Sequence, residues 1–535
     1  MNLKLSYLNS ILYIFLAIFA FYVNYFFSNI GLYPIDTFSF FDTGYLITQG
    51  HHPIKDYWVI SGIFIDYLQS LFFYLFGANW KAYIYHSSFI NACISIFFFF
   101  FLNKFIQNLT LNFILSLSFS VLCYPVAGTP FPYQHSLILS LGSILIFFLA
   151  VYENKKIYWY LLPLLMFISF LSMQLPSGLI NLTIISFILI HYIFTEKKFL
   201  KNFILGCFFT IFIFIFYLFL TKVQIKDFII QMILFPLDIG SSRVIGDEKA
   251  FESASFFKKL TFRGVIGHFK FINIFIFLNI LSLFLLWKKT KEKFIFDKKI
   301  YMQLFILFCS ISFIFHQLIT ANQTFIFSLV PFLCGLFLIQ MKEFFNVNNK
   351  KIEFFFIILI LFVTVKYNDV YNLKRKFMDL QNVNLNKAVS AEKLSVKFNK
   401  LKWITPFDYS NDPNEEIILL KDALILISKK DEEIMLISHY QFFSTILEKN
   451  LNIPNRWYFP GNNTYPSTSE SKYRNYYFKK FNKILDNKGI KSIYVIETRE
   501  KELKKIDFKY LLQNKCFTRK QLSKILSEIS INNCS

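Results

Sequence analysis

Predominantly apolar runs of 17–22 residues recur along the first two thirds of the chain, and they restrict its fold more than any other feature. A helix needs about 20 such residues to cross the roughly 30 Å hydrocarbon layer of a bilayer. Only helices and closed barrels satisfy every backbone polar group there. Eleven spans are expected, at 8–29, 83–102, 109–125, 134–151, 157–173, 178–194, 203–221, 270–287, 300–317, 324–341 and 351–366. The first run, Ser10 to Ser28, is too long for a signal-peptide core and lacks a small-residue cleavage site, so it reads as a retained helix. A mean hydropathy of +0.46 over 535 residues agrees with a polytopic α-helical membrane protein.

Lysine and arginine set the expected orientation. The connections "ENKK", "TEKKFLKN", "KKTKEKFIFDKK" and "KEFFNVNNKK" are basic, whereas "VAGTPFPYQ", "MQLPS" and "ITANQ" contain neither residue. This places the N-terminus in the cytoplasm and two long loops, 30–82 and 222–270, on the outer face of a bacterial inner membrane. Within the first loop, "SGIFIDYLQSLFFYLFG" repeats its apolar residues at helical spacing and reads as a helix lying along the interface. Within the second, "FIIQMILFP" reads as a short amphipathic segment that breaks into the polar turn "DIGSSRVIGDEK".

After about Lys366 charged residues become frequent, and "EIMLIS" and "KSIYVIE" read as buried strands. Helical stretches near Phe442–Asn450 and Ser471–Asn487 lie between them. The expected organisation is therefore a membrane domain, 1–366, followed by a small extracytoplasmic α/β domain, 367–535.

The net charge of +22 does not indicate nucleic acid as a partner. Lysine supplies 49 of the 56 basic residues, and these are spread over loops and tail rather than gathered in one stripe. Five cysteines, Cys93, Cys123, Cys207, Cys309 and Cys334, lie in apolar runs and act as small hydrophobes. Cys516 and Cys534 lie in the tail, where an oxidising compartment would let them pair. No CxxC or His/Cys spacing defines a zinc site.

Candidate functional residues cluster at the outer ends of the spans. Asp36, Asp42 and Asp56 follow the first helix, and ionisable groups held against a bilayer are costly unless they serve a purpose. The stretch "FDTGYLITQGHHPIKDYWVISGIFIDYLQSLFFYLFG" resembles the first periplasmic loop of the GT-C superfamily of membrane glycosyltransferases, which includes protein O-mannosyltransferases and lipid A aminoarabinose transferases. Asp42, Thr43, Gly44 and Tyr45 fall on the family's acidic Asp-Glu-x-x-Tyr motif, Gly50, Pro53 and Asp56 on its G-x-P-x-x-D segment, and Phe76–Gly77 at the end of its interfacial helix.

The resemblance implies a GT-C fold and an inverting transferase. Its expected activity is to move a sugar from a polyprenyl phosphate to a glycan, lipid or protein acceptor, with Asp42 as base toward the acceptor. Thr43 replaces the second carboxylate of the motif, which favours a lone base over a metal held by an acidic pair. Lys55, Asp56, Arg243 and Gln174 are the candidates for donor phosphate or sugar, and Asp36, Tyr45, His135, His316, Asn322 and Gln323 for cavity lining. No cofactor is assigned. Imidazole and carboxylate suit a divalent metal, but no spacing gathers them. Two other readings share this architecture. A transporter or lipid flippase would carry charged or broken helices at mid-membrane and a repeat between halves. A polysaccharide polymerase or ligase would place its key residues in a late external loop.

Overall fold

The computed structural model describes residues 2–30, 37–123, 128–194, 197–245, 256–289, 298–320, 326–345, 349–376, 384–404, 412–458, 464–497, 506–513 and 515–532. Eight helices among them are long and apolar enough to cross a membrane: Tyr7–Ser28, Trp80–Phe105, Pro132–Glu153, Gln174–Phe194, Phe199–Thr221, Lys270–Lys288, Lys298–Ile319 and Lys350–Leu373. The other three expected spans are helices too, but shorter: Leu109–Leu122 has 14 residues, and Lys156–Ser172 and Leu329–Phe345 have 17 each. The chain is a polytopic helical membrane protein with a small C-terminal α/β region. The apolar surface of Phe199–Thr221 shows why lipid is required. Phe208, Phe212, Phe216 and Phe219 all point outward from it, and water would not tolerate such a face.

Asparagine, abundant in this chain, starts several helices. Asn79 Oδ1 accepts from Ala82 N at 3.0 Å, and Asn108 Oδ1 accepts from Leu111 N at 3.1 Å. Each satisfies one of the amides that a helix start leaves without a partner. Inside the bundle, where hydrophobicity cannot distinguish protein from lipid, amide hydrogen bonds tie helices together. Asn24 Nδ2 donates to Ser87 Oγ and Ser88 Oγ, both at 3.0 Å, and to Gly128 O at 3.1 Å. Asn91 Nδ2 joins Ala20 O and Ser120 O, again at 3.0 Å. Gly128 is required at this junction: its φ is +72°, and a Cβ there would sit 2.2 Å from Ser28 Oγ.

The described part of the polar turn expected after "FIIQMILFP", residues 238–245, is helical instead. Ile225–Ile229 continues through a widened π turn, Ile230–Leu234, into Phe235–Ile245. Pro236 explains the widening, because it has no amide hydrogen with which to bond Met232 O, its partner one α turn earlier. That carbonyl is satisfied from another helix, by Gln174 Nε2 at 2.8 Å.

The C-terminal region holds a four-stranded sheet. Its strands are β3 (Ile434–Ser438), β4 (Ser492–Ile496), β5 (Cys516–Gln521) and β6 (Leu526–Asn532), and a separate pair is formed by β1 (Val389–Ser390) and β2 (Lys402–Trp403). The order is β3-β4-β6-β5, with β3 and β4 parallel and the other pairings antiparallel. Side chains alternate across a strand, so a sheet covered on both faces carries apolar residues at every position. Ile434 and Leu436 accordingly join the core that contains helix Pro413–Ser428, whereas Met435 and Ile437 join the core that contains Tyr477, Phe481 and Leu485 of helix Arg474–Lys488.

The first of these cores also holds Phe38, Phe40, Phe41 and Trp80 from the other end of the chain. The first loop is thus built into the C-terminal region and does not stand free above the membrane. Lys402 N extends the join by donating to Asn29 O at 2.9 Å, where the first helix ends. Cys516 is disulfide-bonded, and the five cysteines in apolar helices are free. Cys534 lies outside the described residues.

Candidate functional site

The turn "HHPIKDYW" folds tightly because its own polar groups close it. Asp56 Oδ2 accepts from His52 N at 2.7 Å, Asp56 N donates to His52 O at 2.9 Å, and Ile54 N donates to Tyr57 O at 3.1 Å. The closure forces Ile54 to a φ of +73°, a strained value for a β-branched residue. Neighbours hold it there. Gln231 Nε2 donates to Ile54 O at 3.1 Å while Gln231 Oε1 accepts from Val59 N at 3.1 Å, and Lys480 Nζ donates to both Ile54 O and Lys55 O. Strain of this kind costs about 1–3 kcal/mol and survives only where several contacts enforce it.

This turn forms one wall of a cavity of about 660 Å³. His51, Lys55, Asp56 and Tyr57 come from the first loop. Lys222, Gln224, Lys226 and Asp227 follow the membrane-length helix Phe199–Thr221, and Asn475, Tyr476, Lys479, Lys480, Lys483 and Lys488 come from helix Arg474–Lys488. Seven lysines face two aspartates, so the cavity is strongly positive. Burial lowers the Lys480 ammonium to about 8, with Asp227 and Asp56 opposing the shift. Burial likewise lowers the His51 and His52 imidazoles, again against the pull of Asp56. Asp227 is fixed by the Tyr476 hydroxyl, which donates to it at 2.5 Å. A cavity of this kind can hold an anion against several ammonium groups and present one carboxylate, Asp56, to a proton donor.

Lys55 and Asp56 are the expected site residues that line this cavity. Asp42 is not among the lining residues. It is fully buried, and both its oxygens are engaged by the C-terminal region: Oδ2 accepts from Ser444 N at 3.1 Å, and Oδ1 from Thr445 N at 2.8 Å and Thr445 Oγ1 at 2.7 Å. Burial raises its carboxyl to about 6 despite these bonds. Thr43, the departure from the acidic motif, donates to Asp66 Oδ1 at 2.6 Å. Asp66 in turn forms a fully buried ion pair with Arg456, whose guanidinium lies 4.6 Å from the centre of the Phe40 ring and donates to Ser61 O. Asp42 therefore fastens the loop to the tail directly, and Thr43 does so only through Asp66 and its ion pair with Arg456.

The other candidates are scattered. Gln174 Nε2 is used by Ile60 O and Met232 O, both at 2.8 Å. Tyr45 is buried beside Asp42. His135 is buried, its Nε2 3.1 Å from His86 Nε2 and its Nδ1 3.0 Å from Phe131 O. His316 is buried with its ring centre 5.3 Å from that of Tyr133. Arg243 lies toward His316 and Lys259, outside the cavity lining. Asp36, Asn322 and Gln323 lie outside the described residues. Among the described residues no three His, Cys, Asp or Glu side chains gather as a metal site.

The sequence reading missed Asp227 and the lysines of Arg474–Lys488. A signal was present for the lysines: Lys479 and Lys483 are one helical turn apart, on the side opposite Tyr477, Phe481 and Leu485. In comparisons with known proteins, no family model and no curated protein matches the chain.

Proposed function

We propose that this protein is a membrane glycosyltransferase of the GT-C type, acting on a sugar carried by a polyprenyl phosphate at the outer face of the cytoplasmic membrane. The observation that carries the reading is the position of the positive cavity. Lys222, in its lining, is the residue that ends the membrane-length helix Phe199–Thr221, so a lipid-borne phosphate at headgroup depth reaches the ammonium groups without leaving the bilayer. The G-x-P-x-x-D segment of the resemblance supplies Asp56 on the same cavity.

In this reading Asp56, and not Asp42, takes the proton of the acceptor hydroxyl. The acceptor oxygen bonds to the anomeric carbon from the face opposite the phosphate as the carbon–phosphate-oxygen bond breaks. The configuration inverts, and the lipid phosphate leaves with the bonding electron pair. Lys55 and Lys480 stabilise the charge that develops on that phosphate. The disulfide at Cys516 supports an extracytoplasmic tail, since such bonds persist in oxidising compartments.

The test is sugar transfer by the purified chain in lipid nanodiscs, supplied with a panel of polyprenyl-phosphate sugars. Asp56→Asn is expected to lower turnover by about 100-fold or more, the usual contribution of a general base. Unchanged transfer by Asp56→Asn removes Asp56 as base. No turnover with any donor, together with solute flux in vesicles, moves the protein to the transporters.

A further inference from the structure

Two ridges of helix Arg474–Lys488 line the cavity along its whole length: Asn475, Lys479, Lys483 and Asn487 at every fourth position, and Tyr476, Lys480, Ile484 and Lys488 beside them. At 1.5 Å per residue the strip is about 20 Å long. Its opposite side, Tyr477, Phe481 and Leu485, is sealed in the domain core, so the helix cannot turn the lysines away. Among the described residues none of the seven cavity lysines forms an ion pair, and the only carboxylates lining the cavity with them are Asp56 and Asp227.

One phosphate at the membrane end engages two or three ammonium groups. Lys479, Lys483 and Lys488 exceed that requirement and carry the positive wall along the helix as far as Lys488, which faces His51 of the first loop. Seven of 20 lining residues are lysine, against 49 of 535 in the chain, so the lysine-rich composition alone does not account for the strip.

We propose that this strip binds the acceptor, and that the acceptor is an anionic glycan bearing carboxylate or phosphate groups along its length. The asparagines at both ends of the strip offer amides to sugar hydroxyls, and Tyr476 offers a ring to a sugar face. This inference rests on the transferase reading, whose donor end it leaves unchanged.

The experiment is fluorescence anisotropy on the full chain in neutral nanodiscs. The probes are an end-labelled oligogalacturonate, its uncharged methyl ester, and an end-labelled polyglycerol phosphate. At least one charged probe is expected to bind, more weakly as salt rises, and more tightly than the methyl ester. Lys479→Gln with Lys483→Gln is expected to weaken binding about tenfold, from two attractions lost at the rim of a partly desolvated cavity. Lys421→Gln with Lys429→Gln, on exposed lysines outside the cavity lining, is the control and leaves it unchanged.

Equal loss in both double variants, equal affinity for the methyl ester, or no binding of either charged probe overturns the proposal. So does binding that appears only as competition with phosphatidylglycerol vesicles, which would make the strip a contact for lipid headgroups. Anionic glycan binding without sugar transfer sinks the transferase reading, and leaves the strip as a glycan site that is no longer an acceptor site. Transfer to neutral and anionic acceptors at equal rates sinks the acceptor inference alone.

Discussion

Replacing Asp42 by Asn separates a catalytic carboxylate from a structural one. At neutral pH the folded protein buries Asp42 with its carboxyl raised from 3.8 to about 6. A shift of that size corresponds to about 3 kcal/mol of folding free energy, at 1.36 kcal/mol per pH unit. A raised acid favours folding only while protonated, so its contribution is complete below pH 3.8 and is lost as pH rises through about 6. Asn keeps an oxygen for Thr445 N and Thr445 Oγ1, and it leaves Ser444 N without an acceptor. One buried amide left without a partner costs about 1–3 kcal/mol, which offsets the charge no longer buried.

Asp42→Asn is therefore expected to unfold within about 1 kcal/mol of wild type at pH 7 and to lose the decline in stability between pH 4 and 6. Asp42→Ala deprives Thr445 N as well and is expected to be about 2 kcal/mol less stable than the Asn variant. Thermal unfolding followed by intrinsic fluorescence, in the same nanodiscs across that pH range, reads both. The transfer assay should give Asp42→Asn a turnover within a few-fold of wild type. A folded Asn variant with no transfer would refute this reasoning, as would one whose stability changes with pH as steeply as the wild type's.

Two further perturbations test the junction. Arg456→Leu removes the counter-charge of Asp66 in a fully buried site, so the carboxylate must take up a proton or stay without its cation, and the expected cost is about 3–5 kcal/mol. Limited proteolysis should then cut the tail at neutral pH under conditions where the wild type resists, and Asp66→Asn in the same chain should restore part of the protection. Glu416 is buried between the Trp403 indole, which donates to it at 2.8 Å, and the Tyr440 hydroxyl, and burial raises its carboxyl from 4.5 to about 8. Its contribution is complete below pH 4.5 and falls away as pH rises through about 8, so Glu416→Gln should flatten the loss of tail stability over that range, read by the same proteolysis at stepped pH.

Much of this architecture was legible because its causes are local. Hydropathy over 20 residues finds a span wherever the lipid alone decides burial, and the eleven expected segments are all helices in part. "EIMLIS" and "KSIYVIE" stand out as strands because both faces of β3 and β4 are covered. The hairpin β5–β6 was missed because "CFTRKQ" is an exposed edge, with little apolar pattern to betray it. The Gly and Ser residues of "DIGSSRVI" suit a turn, whereas its helix continues from the segment before it. At the site, the first loop advertised its acids but not their partners. Asp42 and Asp56 look alike in sequence. Ser444 and Thr445 make one of them a fastening, and Lys480 stands beside the other. Pairings across some 400 positions leave no periodicity to read.

The same separation governs how the molecule is made. The loop that carries Phe38, Phe41, Asp42 and Asp66 is made several hundred positions before its partners Phe398, Phe442 and Arg456. Until they arrive, the loop's aromatic rings lack their partners from the tail, and its acids lack the tail groups that donate to them. Contacts so distant along the chain close slowly. This surface thus stays unfinished while the membrane helices are made, and the tail acts as a latch that arrives after them. A chain stopped before Thr445 lacks that latch, and the lysine wall beyond it, even with every membrane helix in place.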